Sequence, residues 1–385
     1  MRMTQLKTIS DIQTGPFGSQ LHKEDYVESG TPIVTVEHLG NRVFTEQNLP
    51  RVSDCDKARL IKYTLSTGDI VFSRVGSVDR CSYVDKSHDG WMFSGRCLRV
   101  RPTELVDSLY LYYYFCLEET KQFVRNIAVG ATMPSINTKL LGEVEIALPD
   151  LKNQKRIAAV LSSLDDKIEN NQKLNDNLQQ QAMALYAEMF LNSSDNNVTS
   201  GTLSDIAAIT MGQSPSGSSY NEDGVGEVFY QGRAEFGFRF PKRRLFTTEP
   251  KRMAETGDVL LSVRAPVGDL NVAYERCCIG RGLGAIHSKT GHSSFVLYTM
   301  FALRSQLDVF NGEGTVFGSI NRDALNAIPI DIPPVTEIDQ FEAVAHPIDE
   351  LIRANYEENC RLEAIRDSLL PKLMSGEIDV SAVQL

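Results

Sequence analysis

Hydrophobic positions along two long segments of this chain recur at alternating steps of four and three residues. The first stripe consists of Ile157, Leu161, Leu164, Ile168, Asn171, Asn175, Leu178, Ala182, Leu185 and Met189, and the second of Phe341, Ala345, Ile348, Ile352, Asn355, Asn359, Leu362, Arg366, Leu369 and Leu373. A mean spacing of about 3.5 residues is typical of a coiled-coil seam. Neither helix can bury such a stripe alone, so the pattern predicts two long helices that pack against each other. Two separate core helices are the alternative.

Both stripes become polar at the same two positions, Asn171 and Asn175 in the first and Asn355 and Asn359 in the second. A buried amide needs a polar partner, so a matched pair fixes the register of two helices. In an antiparallel pair, Asn171 would face Asn359 and Asn175 would face Asn355. Separate core helices leave these shared polar positions unexplained. We also expect the second helix to bend or restart at Pro347, because proline removes a helical hydrogen bond.

The rest of the chain is repeated as well. Residues 130–137 read GATMPSIN and residues 314–321 read GTVFGSIN, at the same offset of 184 positions that relates the two stripes. Ahead of each stripe, short β-branched runs predict strands, and one apolar stretch (108–126 and 293–310) predicts a helix. The sequence therefore predicts an α+β fold, in which two pseudo-repeated α/β modules are separated by a pair of long antiparallel coiled-coil helices. The predicted boundaries are 1–150 for the first module, 151–195 for the first helix, 196–334 for the second module, 335–376 for the second helix and 377–385 for a tail.

A formal net charge of −11 argues against nucleic acid as a partner at first sight, but the distribution of charge weakens that objection. Residues 335–385 alone carry 4 basic and 11 acidic side chains, so the modules are close to neutral. Seven cysteines without a C-x-x-C pair or zinc spacing are typical of buried thiols in a reducing cytoplasm, and we expect no metal site. The chain has no run of eighteen apolar residues and no apolar signal segment after Met1. We therefore expect a cytoplasmic protein with no membrane partner.

Basic side chains are densest between residues 233 and 252, where seven arginines and lysines are interleaved with four phenylalanines. Such alternation suits a strand with one face on a core and the other on phosphates, and a solvated basic face is the alternative. Two glycine- or proline-containing loops, 73–77 and 262–266, each carry an arginine beside small residues, which suits either DNA contact or a plain hairpin. The DNA-binding candidates are Arg74, Gly76, Ser77, Arg80, Arg96, Arg233, Arg239, Lys242, Arg243, Arg244 and Arg264.

Different roles are expected within this set. The expected phosphate contacts are Arg239, Lys242, Arg243 and Arg244, and the expected contact to a base edge is Arg233 or Arg264. The repeated GATMPSIN motif either caps the segment that follows it or touches a ligand. The sequence contains no G-x-x-x-x-G-K-[ST], H-E-x-x-H or G-x-S-x-G motif, so we expect a chain without catalytic residues.

Several sequence features together resemble one known family. Thr67-Gly68-Asp69-Ile70 is repeated as Thr256-Gly257-Asp258-Val259, and residues 150–168 read DLKNQKRIAAVLSSLDDKI. The second helix ends in LLPKLMSG at residues 369–376. With the duplication, these motifs make the chain similar over its full length to the specificity (S) subunit of type I restriction-modification enzymes. Residues 337–339 (EID, against NQK at 153–155) and Pro347 depart from the family pattern.

The resemblance implies two target-recognition domains, each of which reads one half of a split site in double-stranded DNA. It also implies that the helix pair docks two methyltransferase (modification) subunits, which restriction/translocase subunits join. Catalysis would then belong to the partners, together with S-adenosylmethionine, ATP and Mg. A fused methyltransferase fragment is a rival, but it would need a cofactor loop that the sequence lacks. A two-headed coiled-coil scaffold that binds proteins rather than DNA is the other alternative.

Overall fold

The computed structural model describes residues 2–18, 20–192, 198–312 and 318–381. Repeat residues 314–317, linker residues 193–197 and tail residues 382–385 lie outside the described residues. Internal contacts divide the chain into two compact units, residues 1–170 with 358–385 and residues 171–357. Each unit therefore combines one module with a part of each long helix.

The first unit is built on two four-stranded sheets and a two-stranded ribbon. Its strands are β1 (Arg2–Gln5), β2 (Ser10–Thr14), β3 (Tyr26–Val27), β4 (Thr31–Val34), β5 (Arg51–Val52), β6 (Ile70–Ser73), β7 (Cys81–Tyr83), β8 (Met92–Phe93), β9 (Cys97–Pro102) and β10 (Glu145–Leu148). We call the sheet β2-β9-β6-β7 the main sheet and the sheet β3-β5-β4-β8 the side sheet, while β1 pairs with β10. The main sheet is antiparallel throughout, whereas β4 and β8 of the side sheet run parallel.

The helices of the first module are α1 (Asp54–Arg59), α2 (Ser108–Cys116), α3 (Glu118–Ile127) and α4 (Thr138–Gly142), and the first long helix, α5 (Leu151–Tyr186), follows them. Of these, α2 contacts β7 and α4 contacts β2 of the main sheet. In α2, Tyr110, Tyr113 and Phe115 are at most 1% exposed. The single helix predicted for residues 108–126 is in fact two, because the ψ angle of 133° at Leu117 interrupts the helical hydrogen bonds.

The second unit repeats this architecture. Its strands are β11 (Thr199–Thr202), β12 (Ala207–Met211), β13 (Tyr220–Asn221), β14 (Glu227–Tyr230), β15 (Leu245–Thr247), β16 (Met253–Ala254), β17 (Val259–Ser262), β18 (Leu270–Val272), β19 (Cys277–Ile279), β20 (Leu283–Ser288) and β21 (Pro329–Ile332). The main sheet has the order β12-β20-β17-β18, the side sheet has the order β13-β15-β14-β19-β16, and β11 pairs with β21. The parallel pairing of β14 with β19 repeats that of β4 with β8.

The helices of the second unit are α6 (Leu203–Ile206), α7 (Ser293–Ala302), α8 (Arg304–Asp308), α9 (Arg322–Asn326) and the second long helix, α10 (Val335–Ser375). The helix predicted for residues 293–310 is again divided, here at Leu303. The module and the long helices share one core in each unit. Leu98 of the first main sheet lies in the same cluster as Leu161 of α5, and Leu261 of the second lies with Phe341 of α10. Burial of each such side chain contributes about 1.5–3 kcal/mol, so the helices are integral parts of both cores.

The two long helices are antiparallel inside each unit. In the first unit Arg366 pairs with Asp165 and Glu358 with Lys167, so residue numbers fall along one helix as they rise along the other. In the second unit Asn355 donates to Asn175 at 2.8 Å. This arrangement confirms the predicted antiparallel orientation.

The second long helix continues through Pro347 without interruption. The predicted restart at this residue is therefore wrong. Pro347 is exposed, whereas Ala345 and Ile352 on either side of it are fully buried. A proline in a helix interior costs about 3 kcal/mol, which the burial of flanking seam residues at about 1.5–3 kcal/mol each offsets.

Candidate nucleic-acid interface

A hairpin loop follows the third strand in the order of each main sheet, β6 in the first and β17 in the second. Residues 74–80 join the antiparallel strands β6 and β7, and residues 263–269 join β17 and β18. The plain hairpin considered from the sequence is thus the backbone structure of both loops. Their tips are open to solvent, since Gly76 (φ 74°), Ser77 and Arg264 are exposed.

An arginine from the helices that follow the main sheet holds each hairpin loop. Arg125 in α3 donates to Asp79 at 2.6 Å, and Arg304 in α8 donates to Asp269 at 2.8 Å. Arg304 also donates to the Gly268 carbonyl at 2.5 Å. These contacts restrict the loops before any ligand arrives, and a loop ordered in advance loses less conformational entropy on binding.

The repeated Ser-Ile-Asn segment lies along each hairpin loop. Ser135 forms a β-bridge with Val75, and Ser319 forms one with Arg264. The asparagine two positions later accepts a backbone N–H at 2.9 Å in both copies and so caps α4 and α9. The capping role considered from the sequence therefore holds for the asparagine, while the serine lies beside the candidate loop.

The loop after the first strand of each main sheet approaches the turn between β8 and β9, or between β19 and β20, through a glycine contact. A Cβ atom on Gly15 would lie 2.1 Å from the Ser94 carbonyl oxygen, and one on Gly212 would lie 2.1 Å from the Gly280 oxygen. Only glycine permits such close backbone approach. In the first module this loop presents Phe17, which is 54% exposed.

These loops together form what we call the loop face of each module. Its exposed residues include Phe17, Gly76, Ser77, Arg80, Arg96 and Met133 in the first module and Gln213, Arg264 and Arg281 in the second. The half-buried Arg74 donates to the Gly95 carbonyl at 3.0 Å, and its guanidinium lies 5.7 Å from the Phe17 ring centroid. Within the described ranges, none of Arg74, Arg80, Arg96, Arg264 and Arg281 forms an ion pair. The loop faces therefore carry cations that no acidic side chain among the described residues neutralises.

Arg281 is a loop-face cation that the sequence reasoning missed. Its backbone N–H donates to the Ser214 hydroxyl at 3.2 Å, and its side chain is exposed. The turn Gly280-Arg281-Gly282 follows β19 as Ser94-Gly95-Arg96 follows β8. In register Arg281 corresponds to Gly95, because Gly280 and Ser94 donate to the equivalent carbonyls of Tyr230 and Val34, so the repeat itself does not mark Arg281.

The basic segment 233–252 is not the alternating strand that its composition predicts. Residues 236–244 form no regular element, and only β15 follows. Arg239 is 4% exposed, and its Nη1 lies 2.9 Å from Asp349 Oδ1. The prediction that Arg239 contacts phosphate is therefore wrong. The pattern misled because the neutralising acid lies 110 residues away.

Three of the six other cations of this segment are also paired with acidic side chains of the described residues. The pairs are Arg233–Asp269, Arg243–Glu275 and Arg244–Glu235. Lys242 is exposed and forms no ion pair with any residue that the structure describes. In the first module, Arg99 and Arg101 of β9 are likewise paired, with Asp11 and Asp69 at 2.6 Å each. Exposed pairs contribute only about 0–1 kcal/mol, so DNA could compete for their cations, but they are not free in advance.

Every residue of the two predicted seam stripes is buried or half-buried. Asn175 receives the amide of Asn355 at 2.8 Å and donates to the Ile352 carbonyl at 3.4 Å. In the first unit, Asn359 donates to the Ile168 carbonyl at 3.4 Å. The structure thus contains the predicted pair of Asn175 with Asn355, while the match of Asn171 with Asn359 stays a prediction.

Neither a metal cluster nor a membrane span is found in the part of the chain that the structure describes. No group of three or more histidine, cysteine, aspartate or glutamate side chains there is placed to hold a metal ion. The helices of those same residues are too short or too polar to cross a bilayer.

Comparison with known proteins gives consistent similarities. The family model described as type I restriction modification DNA specificity domain matches residues 2–180 and again residues 196–357. The provisionally assigned MjaX type I restriction enzyme specificity subunit of Methanocaldococcus jannaschii is 29% identical over 399 residues, covering 98% of this chain and 93% of that one. The MjaIX specificity subunit of the same organism is 26% identical over 310 residues, covering 72% and 71%. The crystal structure of a type I restriction-modification system S subunit from M. genitalium has a similar fold, with a TM-score of 0.60 and 16% identity over 97% of this chain and 95% of that chain.

Proposed function

Because this chain belongs to the family of type I restriction-modification DNA specificity domains, we propose that it reads a two-part target in double-stranded DNA with one module per half-site. The observation that carries the proposal is the loop face, which is built twice from equivalent loops and presents arginines without acidic partners. Arginine is suited both to phosphates and to the edge of guanine. Gly76 is exposed at the tip of its hairpin loop and carries no side chain that would keep the backbone away from a groove.

The long helices are proposed to dock the partner subunits. These would be two methyltransferase subunits, which bring S-adenosylmethionine, and restriction/translocase subunits, which bring ATP and Mg. This chain would then supply sequence recognition and no catalytic residue. In support, Leu174 on α5 and Val344 and Leu351 on α10 are 43–51% exposed and project apolar surface that a partner could cover.

The overall negative charge has a consequence for this proposal. A net charge of −11 repels DNA at long range, so attraction must come from the loop faces and from the partner subunits. We therefore expect weak DNA binding by the isolated chain and stronger, salt-dependent binding by the assembled methyltransferase.

The proposal is tested by removing loop-face arginines from the assembled methyltransferase. Arg264→Ala or Arg281→Ala should weaken binding to the cognate duplex. A lost phosphate contact should lower the slope of log affinity against log salt by about one, equally for all sequences. A lost base contact should instead cost about 1–3 kcal/mol and relax one position of the second half-site.

Arg276→Ala is the matched control, because Arg276 is an exposed arginine of the same module that pairs with Glu227. It should leave affinity and slope unchanged. If Arg264→Ala and Arg281→Ala in the second module, and Arg74→Ala and Arg96→Ala in the first, all bind like the wild type, the loop faces do not read DNA. If duplex binding does not depend on salt, the alternative function is favoured, in which the chain is a two-headed coiled-coil scaffold that binds proteins.

A further inference from the structure

One arginine enters the junction between module and long helix in each unit, Arg42 in the first and Arg239 in the second. The backbone carbonyl of Arg42 accepts the N–H of Tyr83 at 2.7 Å, and that of Arg239 accepts the N–H of Val272 at 2.8 Å. Tyr83 and Val272 are the last residues of β7 and β18, which occupy the same place in the two main sheets. Arg42 and Arg239 are therefore equivalent positions, although their spacing of 197 residues differs from that of the helix repeat.

Both guanidinium groups are directed at acidic side chains of a long helix. Arg42 Nη1 lies 2.6 Å from Asp166 Oδ1 and 3.6 Å from Glu169 Oε1, both on α5. Arg239 Nη1 lies 2.9 Å from Asp349 Oδ1 on α10. The Arg42 side chain is 17% exposed and that of Arg239 only 4%. Each arginine is thus withdrawn from the surface on which DNA would lie.

A tyrosine from the module completes each junction. The hydroxyl of Tyr113 donates to Asp165 on α5 at 2.6 Å, and that of Tyr298 donates to Asp349 on α10 at 2.8 Å. Burial raises the pKa of both tyrosines, which keeps the hydroxyls protonated as donors. The two aspartates are 184 positions apart, so this part of the junction follows the helix repeat.

The two junctions satisfy their aspartates differently. Asp165 binds Arg366 of α10 at 2.7 Å in addition to its tyrosine. The repeat equivalent of Arg366 is Ala182, which is fully buried and carries no charge. Asp349 therefore receives its cation from Arg239 of the module instead. Each aspartate thus binds one tyrosine and one arginine, and the arginine comes from α10 in the first unit and from the module in the second.

Stability alone does not account for arginines in these places. Removing a guanidinium from water is costly, and well-packed apolar side chains of similar volume often stabilise a protein at least as well. Buried ion pairs can instead select one arrangement among several, because only one geometry satisfies both charges. In each junction, the geometry that the ion pair selects is the conformation of the chain segment that carries the arginine.

That segment, which we call the crossing segment (residues 35–42 and 231–239), connects the loop face to the long helix. At its beginning in the second module, Gly282 donates to the Gln231 carbonyl at 3.1 Å, beside Arg281 of the loop face. At its beginning in the first module, the crossing segment follows Val34, whose carbonyl accepts the N–H of Ser94 at 2.8 Å. Its other end is the arginine at the helix. The ion pair therefore fixes the crossing segment at the long helix, while the beginning of the same segment supports the loop face.

We infer that Arg42 and Arg239 are positioning residues that hold each loop face in the geometry in which it reads its half-site. The inference rests on the proposed function and goes beyond it, since it assigns half-site specificity to residues that do not touch DNA. A misplacement of about 1 Å caused by a remote change can cost a reaction on the order of 100-fold. Loss of either ion pair should consequently relax one half-site and leave the other unchanged.

The test measures methylation rates of the assembled methyltransferase on the cognate duplex and on duplexes with one substitution in either half-site. Arg239→Met keeps the volume of the side chain and removes the charge. We expect it to lower discrimination in the second half-site by about tenfold or more, with the first half-site and the salt slope unchanged. Arg239→Lys restores a cation opposite Asp349 and should recover part of the discrimination. Arg276→Met, which removes an exposed ion pair just before β19 of the same module, should have no effect.

Three outcomes of this experiment would overturn the inference. They are unchanged discrimination, an equal loss at both half-sites, and a fall in the salt slope by about one, which would mark a phosphate contact. If Arg239→Met does not fold, Asp166→Asn with Glu169→Gln removes the partners of Arg42 at positions that are 57% and 28% exposed and should relax the first half-site alone. A wild-type complex that does not distinguish cognate from scrambled duplex would refute the proposed function itself.

Discussion

At the scale of single residues, the role of an arginine follows from the acid that it faces rather than from the density of basic residues around it. Arg243 and Arg244 lie in the most basic segment of the chain, yet each is 2.5 Å from a glutamate. Arg264 and Arg281 lie outside that segment and have no acidic partner within the described residues. The loop-face segments therefore contain fewer basic residues than segment 233–252, but their arginines are not occupied by acidic partners among the described residues.

The triple change Lys242→Ala, Arg243→Ala and Arg244→Ala measures this difference. Three phosphate contacts would together lower the salt slope by about 2.7, since each contributes about 0.9. Of these three residues, only Lys242 forms no ion pair with another described residue. We therefore expect the salt slope to fall by about 0.9 or less. The measurement is duplex affinity of the assembled methyltransferase over a salt series. A fall close to three would mean that the glutamates release both arginines to DNA.

At the scale of elements, the contributions of Asn175 and Asn355 to the stability of the helix seam can be measured separately. Asn175→Leu would leave the buried amide of Asn355 without its acceptor, at a cost of about 1–3 kcal/mol in the free energy of unfolding. Asn355→Leu should cost a similar amount. The double variant should cost less than the sum, because no amide is then left unpaired. Denaturant unfolding of the full chain measures all three, with exposed Asn177→Leu as the control. Additive losses would show that the two amides do not interact.

The continuity of α10 through Pro347 gives a second prediction for the helices. Since the helix does not restart there, Pro347→Ala should restore a backbone hydrogen bond and raise the free energy of unfolding by up to about 3 kcal/mol. Pro334→Ala, just before the first residue of the helix, is the control and should be nearly neutral, because proline is tolerated at a helix start. A destabilised Pro347→Ala variant would mean that the proline is required by its surroundings.

The long helices and their register were predictable from the sequence because the seam is a local, periodic pattern. The positions of Asn175 and Asn355 needed only the 184-residue offset and the requirement that a buried amide be paired. The short β-branched runs ahead of each stripe also form strands, since runs such as 70–72, 228–230 and 328–332 lie in β6, β14 and β21 between turn residues.

The junctions and the loop faces were not predictable in the same way. Arg239 was assigned to DNA because sequence pattern cannot reveal an aspartate that lies 110 residues away. Arg42 was missed because loops of different length separate it and Arg239 from the repeated strands. Arg281 was missed because a lone arginine between glycines has no periodicity. In each case the deciding contact is between segments that are distant in sequence.

At the scale of the whole molecule, the duplication predicts separable recognition. Exchange of residues 1–150 for the matching module of a relative should change one half of the methylated sequence and leave the other intact. Exchange of residues 199–333 should change only the other half. Methylome sequencing of cells that carry each exchanged chain with its partner subunits is the measurement, and an exchange that alters both halves would contradict independent reading.

The junctions set a condition on such an exchange. An incoming first module must bring a tyrosine for Asp165 and a cation for Asp166, because both acids belong to the retained helix. An incoming module that lacks them should be recovered by restoring these two residues.

The division of the chain into units also bears on its synthesis. The second unit is one continuous segment, 171–357, and all of it has been synthesised before residue 358 is added. The first unit starts with the opening residues but lacks the helix segment from 358 onward until late in translation, including Leu370 and Leu373 of its core. Domains generally fold in the order of their synthesis. Here the module that is made first completes its core last, and until then the apolar side chains of α5 that share a core with those leucines lack that cover.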